Sequence, residues 1–413
     1  MRPIDARDPI ALWQYAERYL GVGTRTYSPY AEDLDIADVY HPQRGAATFE
    51  LPTVRVPPSD GVFRTAAHPS PLPALYTGGD GFLLPVHPNA LDAPDLAGAG
   101  VLGRLAPGPS LTVVPSANAR TVFVTAIGGR PVEPHFVKLH YPRRLSRFTR
   151  RLRRPVIELQ LWVSDELLQA GTPVLPEVAG GWFGPHPSLA DGGGGFAGEQ
   201  DAWGFLIRAA RPVVDAPAWT VPLFALYGRD VHAPADPPLL EQLVEAFGED
   251  PATFVATRVV APMVRMWCAT AAATGCPLET HGQNTLFAFD TGAKRTKVLY
   301  RDCAVYVDSA VRAARGLPGG LPPANVIPRD VPLAADEVFS LTYDSFMGHH
   351  ALSYVAALAR TTWGIPEPVL HDAAREAFTT PALLPDTVFY YDNVLYDNGD
   401  WKLVDTGEPP SWR

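Results

Sequence analysis

The fold is decided by residues 110–141, SLTVVPSANARTVFVTAIGGRPVEPHFVKLHY. This stretch contains short runs rich in β-branched and aromatic residues, SLTVV, RTVFVTAI and HFVKLHY, and proline or glycine clusters bound each of them. A further run of the same kind, FLLPVH, stands at 82–87. Because short strands separated by turns usually pair with their neighbours in sequence, the pattern predicts a mainly antiparallel sheet.

Helical patterns lie on both sides of these strands. The predicted helices are at 8–21, in RRLSRFTRRL at 143–152, from Pro155 onward, at 238–247 and at 252–275. The tail from Ala335 is expected to be mostly helical and to close with a strand pair within 388–405. In the helix at 252–275 a stripe at helical spacing predicts a core face: Val255, Val259, Met263, Met266 and Trp267.

The central part of the chain adds strands at 203–210 and 221–228 and a predicted hairpin. The hairpin joins LETHGQNTLFAFD to RTKVLYRDCAVYVD through the turn TGAK. The loop 185–203 is the best candidate for a mobile cover. Its glycines Gly192 to Gly195 favour a flexible linker over a phosphate-binding loop, because the lysine of a P-loop is missing.

Length and charge limit the class of protein. A chain of 413 residues exceeds the ~250 to 300 residues of a single core, and we divide it into lobes at 1–125, 126–310 and 311–413. The net charge of -10 argues against a general nucleic-acid binder. The sequence contains neither an apolar run of the ~18 residues that a membrane span needs nor a signal peptide, so the expected location is cytoplasmic. The three cysteines are expected to be reduced core residues.

A polar cluster stands at the outer end of the predicted hairpin. Glu279, His281 and Gln283 occupy alternate positions and would share one face of a strand. Asn284 lies beside them, and Asp302 returns on the paired strand. The carboxylates would supply hard oxygen ligands for Mg²⁺, and the neutral groups would supply donors for phosphate oxygens. A polar strand edge that makes only backbone hydrogen bonds explains the same residues, so both interpretations are open at this point.

A basic cluster follows the sheet in this acidic chain. Lys138 precedes seven arginines: Arg143, Arg144, Arg147, Arg150, Arg151, Arg153 and Arg154. Guanidinium groups on one helix face would bind phosphates in a bidentate manner. A solvated helix face and a nucleic-acid patch are the alternatives, and the lack of a known binding module disfavours the second.

Other catalytic templates are missing from the sequence. It has no GxSxG elbow, no HExxH motif and no GxGxxG after a strand. A lone histidine is more often structural than catalytic, and the scattered histidines are therefore given no catalytic role. These are His68, His87, His135, His140, His186, His349 and His350.

The motifs in this order resemble those of the NRPS-independent siderophore (NIS) synthetases, the family that includes the aerobactin synthetases. LLPVHPNAL at 83–91 is similar to the family's Pro-Val-His-Pro stretch. Arg120-Thr121 is similar to its Ser-x-Arg-Thr strand, with Asn118 in place of the serine. The resemblance covers about residues 80 to 305.

Two further motifs carry most of this resemblance. Lys138, Ser146 and Arg150 match the spacing of a Lys, Thr and Arg pattern, with serine in place of threonine. The most specific motif is Glu-x-His-x-Gln-Asn, which stands here at 279–284 and is followed downstream by Arg301-Asp302.

The resemblance implies an α+β, cupped, palm-like multi-lobe synthetase fold with antiparallel sheets and a helical C-terminal lobe. ATP and Mg²⁺ would lie between the lobes. The implied nucleotide-binding residues are Asn118, Arg120, Lys138, Ser146, Arg150, His281, Gln283, Asn284 and Asp302. The implied metal ligands are Glu279, Asn284 and Asp302, and the implied catalytic residues are His281, Arg150 and Lys138.

The resemblance also implies a ligase reaction. In this family a carboxylate attacks the α-phosphate of ATP, pyrophosphate leaves, and an amine, hydroxylamine or alcohol takes the acyl group from the adenylate. The implied partners are these small molecules in siderophore or related natural-product biosynthesis, without nucleic acid or membrane, and a homodimer is an open question.

Departures from the family pattern concern the acid. The family's His-Pro precedes basic residues that help to hold citrate, whereas no basic residue follows directly after His68-Pro69 here. We therefore expect a smaller or less anionic acid than citrate. A non-catalytic ATP-binding homologue and a phosphotransferase are the alternative functions.

Overall fold

The computed structural model describes residues 8–25, 34–79, 81–91, 102–103, 105–145, 148–184, 203–318, 334–391 and 403–413. The predicted mobile cover at 185–203, with its glycines Gly192 to Gly195, lies outside the described residues except for Trp203. The structure combines helices with antiparallel sheets, so the predicted α+β class is confirmed.

The strands are short, as their alternation with turn residues predicts. In chain order they are β1 (Phe49–Leu51), β2 (Thr53–Val56), β3 (Gly61–Thr65), β4 (Thr77–Gly78), β5 (Gly81–Pro85), β6 (Ala106–Pro107), β7 (Leu111–Pro115), β8 (Thr121–Ile127), β9 (Arg130–Leu139), β10 (Tyr141–Leu145), β11 (Phe148–Arg150), β12 (Glu177–Phe183), β13 (Trp203–Ala209), β14 (Trp219–Pro222), β15 (Thr285–Asp290), β16 (Arg295–Tyr300), β17 (Phe389–Tyr391) and β18 (Leu403–Asp405).

A seven-stranded sheet forms the centre of the described structure. Its order is β1-β7-β8-β9-β13-β12-β3, and each neighbouring pair is antiparallel. The predicted antiparallel sheet at 110–141 is thus confirmed as β7, β8 and β9. A smaller sheet, β4-β5-β2-β6, shares an apolar core with one face, where Val56 and Leu84 join Val137 and Phe205.

Helices cover the rest of the sheet and build the C-terminal part. They are α1 (Pro9–Tyr19), α2 (Pro88–Leu91), α3 (Arg154–Gln169), α4 (Phe224–Tyr227), α5 (Leu239–Phe247), α6 (Pro251–Phe254), α7 (Ala261–Thr274), α8 (Ser309–Ala314), α9 (Ala335–Ser340), α10 (Ser353–Trp363) and α11 (Glu367–Ala377). Two π-helical segments interrupt them, Val255–Val260 before α7 and Leu341–Leu352 before α10. Among the described residues, no helix has both the length and the apolar character that a membrane span needs.

Several core predictions are confirmed. The stripe from Val255 to Trp267 is buried and belongs to the largest apolar cluster, which includes residues from α1, α3, α5 and α7. The cysteines Cys268, Cys276 and Cys303 are buried and reduced. The hairpin of β15 and β16 and the terminal pair of β17 and β18 also form as predicted.

The predicted helix at 143–152 is wrong. Its residues form the β10–β11 hairpin, in which Leu145 pairs with Phe148. Tertiary contacts outweigh the helical propensity: Tyr141 donates its hydroxyl to the carbonyl of Asp35 at 2.7 Å, and Arg143 Nε donates to the carbonyl of Asn89 at 2.7 Å. The arginines therefore do not share a helix face, although the next helix begins at Arg154 with proline in its first turn, as predicted.

The predicted strand at 221–228 is correct only in its first residues. β14 ends at Pro222, and the segment continues as the short helix α4. The predicted lobe boundary after residue 125 falls inside β8, and the boundary after residue 310 falls inside α8. The division into three lobes itself stays a prediction.

Candidate functional site

The segment 279–284 is a compact turn. Thr285 N–H donates to the carbonyl of His281 at 3.0 Å, and Phe224 N–H donates to the carbonyl of Gly282 at 3.0 Å. β15 begins only at Thr285. The expectation that alternate side chains share one face of a strand is therefore wrong, because the polar residues lie before the strand.

The neighbouring helices position this turn. Helix α7 ends on Gly275, which has a left-handed φ of 70°, and Trp267 Nε1 donates to the carbonyl of Leu278 at 3.1 Å. A Cβ atom at Gly282 would overlap the hydroxyl of Tyr227. Glycine is thus required at 282, where the turn passes Tyr227. The hydrogen bond from Trp267 fixes the chain at Leu278, just before the polar residues begin.

Lys138 and Asp302 form the centre of the site. Lys138 Nζ lies 2.7 Å from Asp302 Oδ1 and 2.8 Å from Gln160 Oε1. The side chain of Lys138 is 2% exposed and that of Asp302 is 22% exposed. Asp302 has a φ of 82°, which is unusual for a residue other than glycine and is held here by these contacts.

A second buried ion pair lies next to the first. Both Arg208 Nε and Nη2 donate to Glu177 Oε1, at 3.0 and 2.6 Å. Arg208 Nη2 also lies 4.0 Å from Asp302 Oδ1. Burial acts to raise the pKa of Asp302, but the charges of Lys138 and Arg208 hold that pKa well below its usual range. Asp302 is therefore ionised throughout the physiological range.

Arg120 and Arg150 bring positive charge to the same site. Arg120 Nη1 donates to the backbone carbonyl of Arg150 at 3.0 Å, which ties β11 to the start of β8. Burial lowers the pKa of Arg120 to about 9, and the charge of Arg150 contributes to the shift. Arg120 stays protonated at neutral pH, so an anion that enters the site meets fixed positive charge.

The side chain of Asn118 forms hydrogen bonds with Thr121, three residues further along the chain. Its Oδ1 accepts the N–H of Thr121 at 2.8 Å, and its Nδ2 donates to the hydroxyl of Thr121 at 3.1 Å. These bonds shape the turn that precedes β8 and place Arg120. Ser146, which the motif pairs with Lys138 and Arg150, lies outside the described residues.

Glu279 and His281 are titratable groups of the turn. Burial and the charge of Asp302 raise the pKa of Glu279 to about 7, although Arg150 and Lys138 act in the opposite direction. Burial lowers the pKa of His281 to about 4. His281 is thus neutral at pH 7, and its Nδ1 accepts the N–H of Gln283 at 3.2 Å. That bond leaves Nε2 as the nitrogen that carries the proton.

Glu279, Asn284 and Asp302 are oxygen donors of the kind that magnesium takes together with phosphates. Glu279 and Asp302 interact electrostatically, and Asn284 is buried in the same turn. Magnesium is usually bound by one or two carboxylates together with phosphate oxygens and water. Among the described residues no group of three or more histidine, cysteine or acidic side chains is arranged to hold a metal by itself. The donor set therefore suits a metal that arrives with a nucleotide.

Sequence reasoning missed several residues of the site. Glu177, Arg208 and Gln160 were not predicted, and neither was Glu17, whose carboxylate forms an ion pair with Arg301. The available signal was a charged residue inside an apolar strand, as in WGFLIRAA, where Arg208 stands among buried neighbours. A buried charge needs a partner, and the sequence does not show which one.

Comparisons with known proteins agree on the fold. No family model and no curated protein sequence matches the chain. Solved structures do match. ATP-bound aerobactin synthetase IucA from Klebsiella pneumoniae is 14% identical with a TM-score of 0.67, and the match covers 98% of this chain and 79% of that one.

Two other matches are similar in extent. For aerobactin synthetase IucC from Klebsiella pneumoniae the identity is 18%, the TM-score 0.59 and the coverage 91% of this chain and 70% of that one. The petrobactin biosynthesis protein AsbB from Bacillus anthracis is 12% identical with a TM-score of 0.64, and the match covers 97% of this chain and 74% of that one. The chain therefore has the fold of the NIS synthetases, and the family resemblance that its motifs indicated is confirmed at the level of the fold.

Proposed function

We propose that this protein is an ATP-dependent ligase that adenylates a carboxylic acid and transfers the acyl group to an amine, hydroxylamine or alcohol. One observation carries the proposal: cationic side chains from β9, from β11 and from the turn before β8 meet the acidic and polar turn 279–284 at one place in a synthetase fold. Arg120, Lys138 and Arg150 supply the positive charge, and Asp302 and Glu279 supply carboxylates. A nucleoside triphosphate with its metal ion needs this distribution, because cations neutralise the phosphates and carboxylates bind the metal.

The chemistry needs positioning and charge neutralisation more than a protein nucleophile. The carboxylate oxygen of the acid attacks the α-phosphorus, a bond to pyrophosphate breaks, and the acceptor then attacks the acyl carbon and releases AMP. Arg120 and Arg150 would stabilise the negative charge that develops on phosphate oxygens. Neutral His281 would donate a hydrogen bond from Nε2 to a phosphate oxygen, since its pKa of about 4 leaves it uncharged.

Lys138 has a different role in this proposal from the one its motif implied. Its ammonium group already donates to Asp302 and Gln160. Lys138 would thus orient Asp302 and keep it ionised. Glu279, Asn284 and Asp302 would hold Mg²⁺, which when bound neutralises phosphate charge.

The test measures pyrophosphate release in the presence of ATP, Mg²⁺ and a set of carboxylic acids, with hydroxylamine to trap the activated acid. We expect release that depends on the acid, and at least a ~100-fold loss of turnover in His281→Ala and Arg150→Ala. Arg265→Ala, an exposed arginine on α7, is the matched control and should keep full activity.

Other results would overturn the proposal. Release of ADP and phosphate would indicate an acyl-phosphate route, and release of ADP with a phosphorylated product would indicate a phosphotransferase. ATP binding without turnover for any acid would indicate the non-catalytic homologue. Full activity in both site variants would show that the site lies elsewhere. A cytoplasmic location, a homodimer and the choice of a less anionic acid than citrate stay predictions.

A further inference from the structure

The side chain of Arg301 joins the turn 279–284 to the first helix. Arg301 Nε donates to the carbonyl of Gln283 at 2.9 Å, and its backbone N–H donates to the carbonyl of Asn284 at 2.9 Å. Its Nη1 forms an ion pair with Glu17 Oε1 of helix α1. The Arg301 side chain is 5% exposed, so these contacts are made in a dry environment.

Glu17 is itself fixed by neutral donors. Trp13 Nε1 donates to Glu17 Oε1 at 3.1 Å, and Ala117 N–H donates to Glu17 Oε2 at 3.3 Å. Trp13 packs edge-on against Phe136 of β9 with ring centroids 5.2 Å apart. The carboxylate is therefore held between α1 and the central sheet before it meets Arg301.

An ion pair of this kind contributes little to stability. The cost of removing both charges from water offsets most of their attraction, and buried pairs are often replaced by apolar residues without loss. A guanidinium group, however, has a planar array of donors that fixes geometry. The guanidinium group of Arg301 binds both Glu17 and the carbonyl of Gln283, so movement of Glu17 would be transmitted to the backbone between His281 and Asn284.

We propose that Glu17 is a positioning residue for the nucleotide site: through the side chain of Arg301 it fixes the carbonyl of Gln283 and thereby the direction of the side chains on the turn. The inference that the turn binds a nucleotide rests on the proposed function. The mechanical link between α1 and the turn does not depend on it.

The first experiment needs no ligand. Hydrogen exchange of the amides at 279–285 is compared in the unmodified protein, in Glu17→Gln and in Glu166→Gln. Glu166 is the matched control because it forms another ion pair with a buried arginine, Arg312, at 2.7 Å on a different helix. We expect exchange at 279–285 to be about tenfold faster in Glu17→Gln than in Glu166→Gln.

The second experiment separates positioning from general destabilisation. With the acid found in the activity screen, Glu17→Gln and Arg301→Lys should each raise the KM for ATP about tenfold to a hundredfold, with a smaller change in kcat. The double variant should be no worse than the more severe single variant, because both changes break one link. Glu166→Gln should leave both constants near those of the unmodified protein.

The outcomes are distinguishable. Faster exchange at 279–285 with a raised KM supports the inference. Faster exchange in a protein that does not bind ATP overturns the proposed function and keeps the link between Glu17 and the turn. Equal exchange at 279–285 in Glu17→Gln and Glu166→Gln overturns the inference, as does an unchanged KM in both Glu17→Gln and Arg301→Lys.

Discussion

Lys138 and Asp302 lie 164 positions apart in the chain, yet the ammonium nitrogen of one is 2.7 Å from a carboxylate oxygen of the other. Lys138 belongs to the central sheet, whereas Asp302 follows the β15–β16 hairpin. The contact therefore joins the two parts of the fold that form the candidate site. Replacement of Asp302 removes the carboxylate that Lys138 contacts, whereas replacement of Lys138 leaves Asp302 with Arg208, whose Nη2 is 4.0 Å from Asp302 Oδ1.

Asp302→Asn is expected to destabilise the protein by about 3 kcal/mol, because it leaves the ammonium of a lysine that is 2% exposed without a counter-ion. Urea denaturation at pH 7 measures the change. Glu158→Gln is the control, since its partner Arg154 is 52% exposed and the pair should contribute less than ~0.5 kcal/mol. Equal losses in the two variants would show that the buried pair has no special role.

Titration of the Glu279 carboxyl should make the stability of the metal-free protein depend on pH. Its folded pKa of about 7 lies above the ordinary value of 4.5. The neutral carboxyl therefore stabilises the fold fully below pH 4.5, and this contribution is lost as the pH rises through 7. Glu279→Gln keeps a neutral group at all pH values, so relative to the unmodified protein it should gain about 3 kcal/mol between pH 4.5 and pH 8.

Unfolding curves of both proteins at several pH values measure this difference. Other groups also titrate in this window, and the comparison of two proteins removes their contribution. A difference in the free energy of unfolding that does not change with pH would mean that the carboxyl of Glu279 titrates near its ordinary value.

Replacement of Gly282 by alanine should destabilise the protein, and a second substitution, Tyr227→Phe, should restore most of the loss. In Gly282→Ala the new Cβ would overlap the hydroxyl of Tyr227, which should cost about 1–3 kcal/mol and weaken ATP binding. In Gly282→Ala with Tyr227→Phe that oxygen is gone, and the new Cβ would lie 3.3 Å from Cζ of the phenyl ring and 3.3 Å from Phe224 Cβ. Most of the stability should therefore return.

Thermal unfolding and ATP calorimetry compare these variants with Gly78→Ala. Gly78 has no heavy atom within 4 Å of the position of a new Cβ, and its φ is not positive, so this control should change little. If Tyr227→Phe does not restore the stability of Gly282→Ala, contact with the Tyr227 hydroxyl is not the reason that glycine is required at 282.

Strands β7, β8 and β9 of the central sheet were predictable from sequence because they have a local signature, whereas β1, β3 and β12 were not predicted. Turn residues bound the runs at 111–115 and 121–127, and each strand pairs with its neighbour in sequence. Likewise, the motif at 279–284 indicated where polar residues would meet Lys138 and Asp302. Residue type and order were enough for these parts.

The remaining parts depend on contacts that are distant in sequence. Residues 143–152 have a helical pattern, but Asp35 and Asn89 both bind the side chain of Arg143 where the chain is extended. Glu17 and Arg301 are 284 positions apart, and nothing in either segment indicates the other. Partner choice for buried charges is set by the tertiary fold, so the inner part of the site was not predictable.

The π-helical segment Leu341–Leu352 reaches the candidate site through Phe346, whose ring packs edge-on against that of His281 with centroids 5.8 Å apart. Arg413 binds this segment: its Nε and Nη2 donate to the carboxylate of Asp344 at 3.0 Å. The Asp344 side chain is 3% exposed. Burial raises the pKa of Asp344, although Arg413 acts to lower it.

Arg413→Ala should therefore destabilise the protein in a pH-dependent way. At pH 8 the carboxylate of Asp344 is left buried without its cation, which should cost about 3 kcal/mol. At pH 5 the loss should be smaller, because without Arg413 the carboxyl takes up a proton at a higher pH and the charge disappears. Arg375→Ala is the control, since its partner Asp372 is 76% exposed. A loss in Arg413→Ala that is the same at both pH values would show that packing of the arginine, and not its charge, holds the segment.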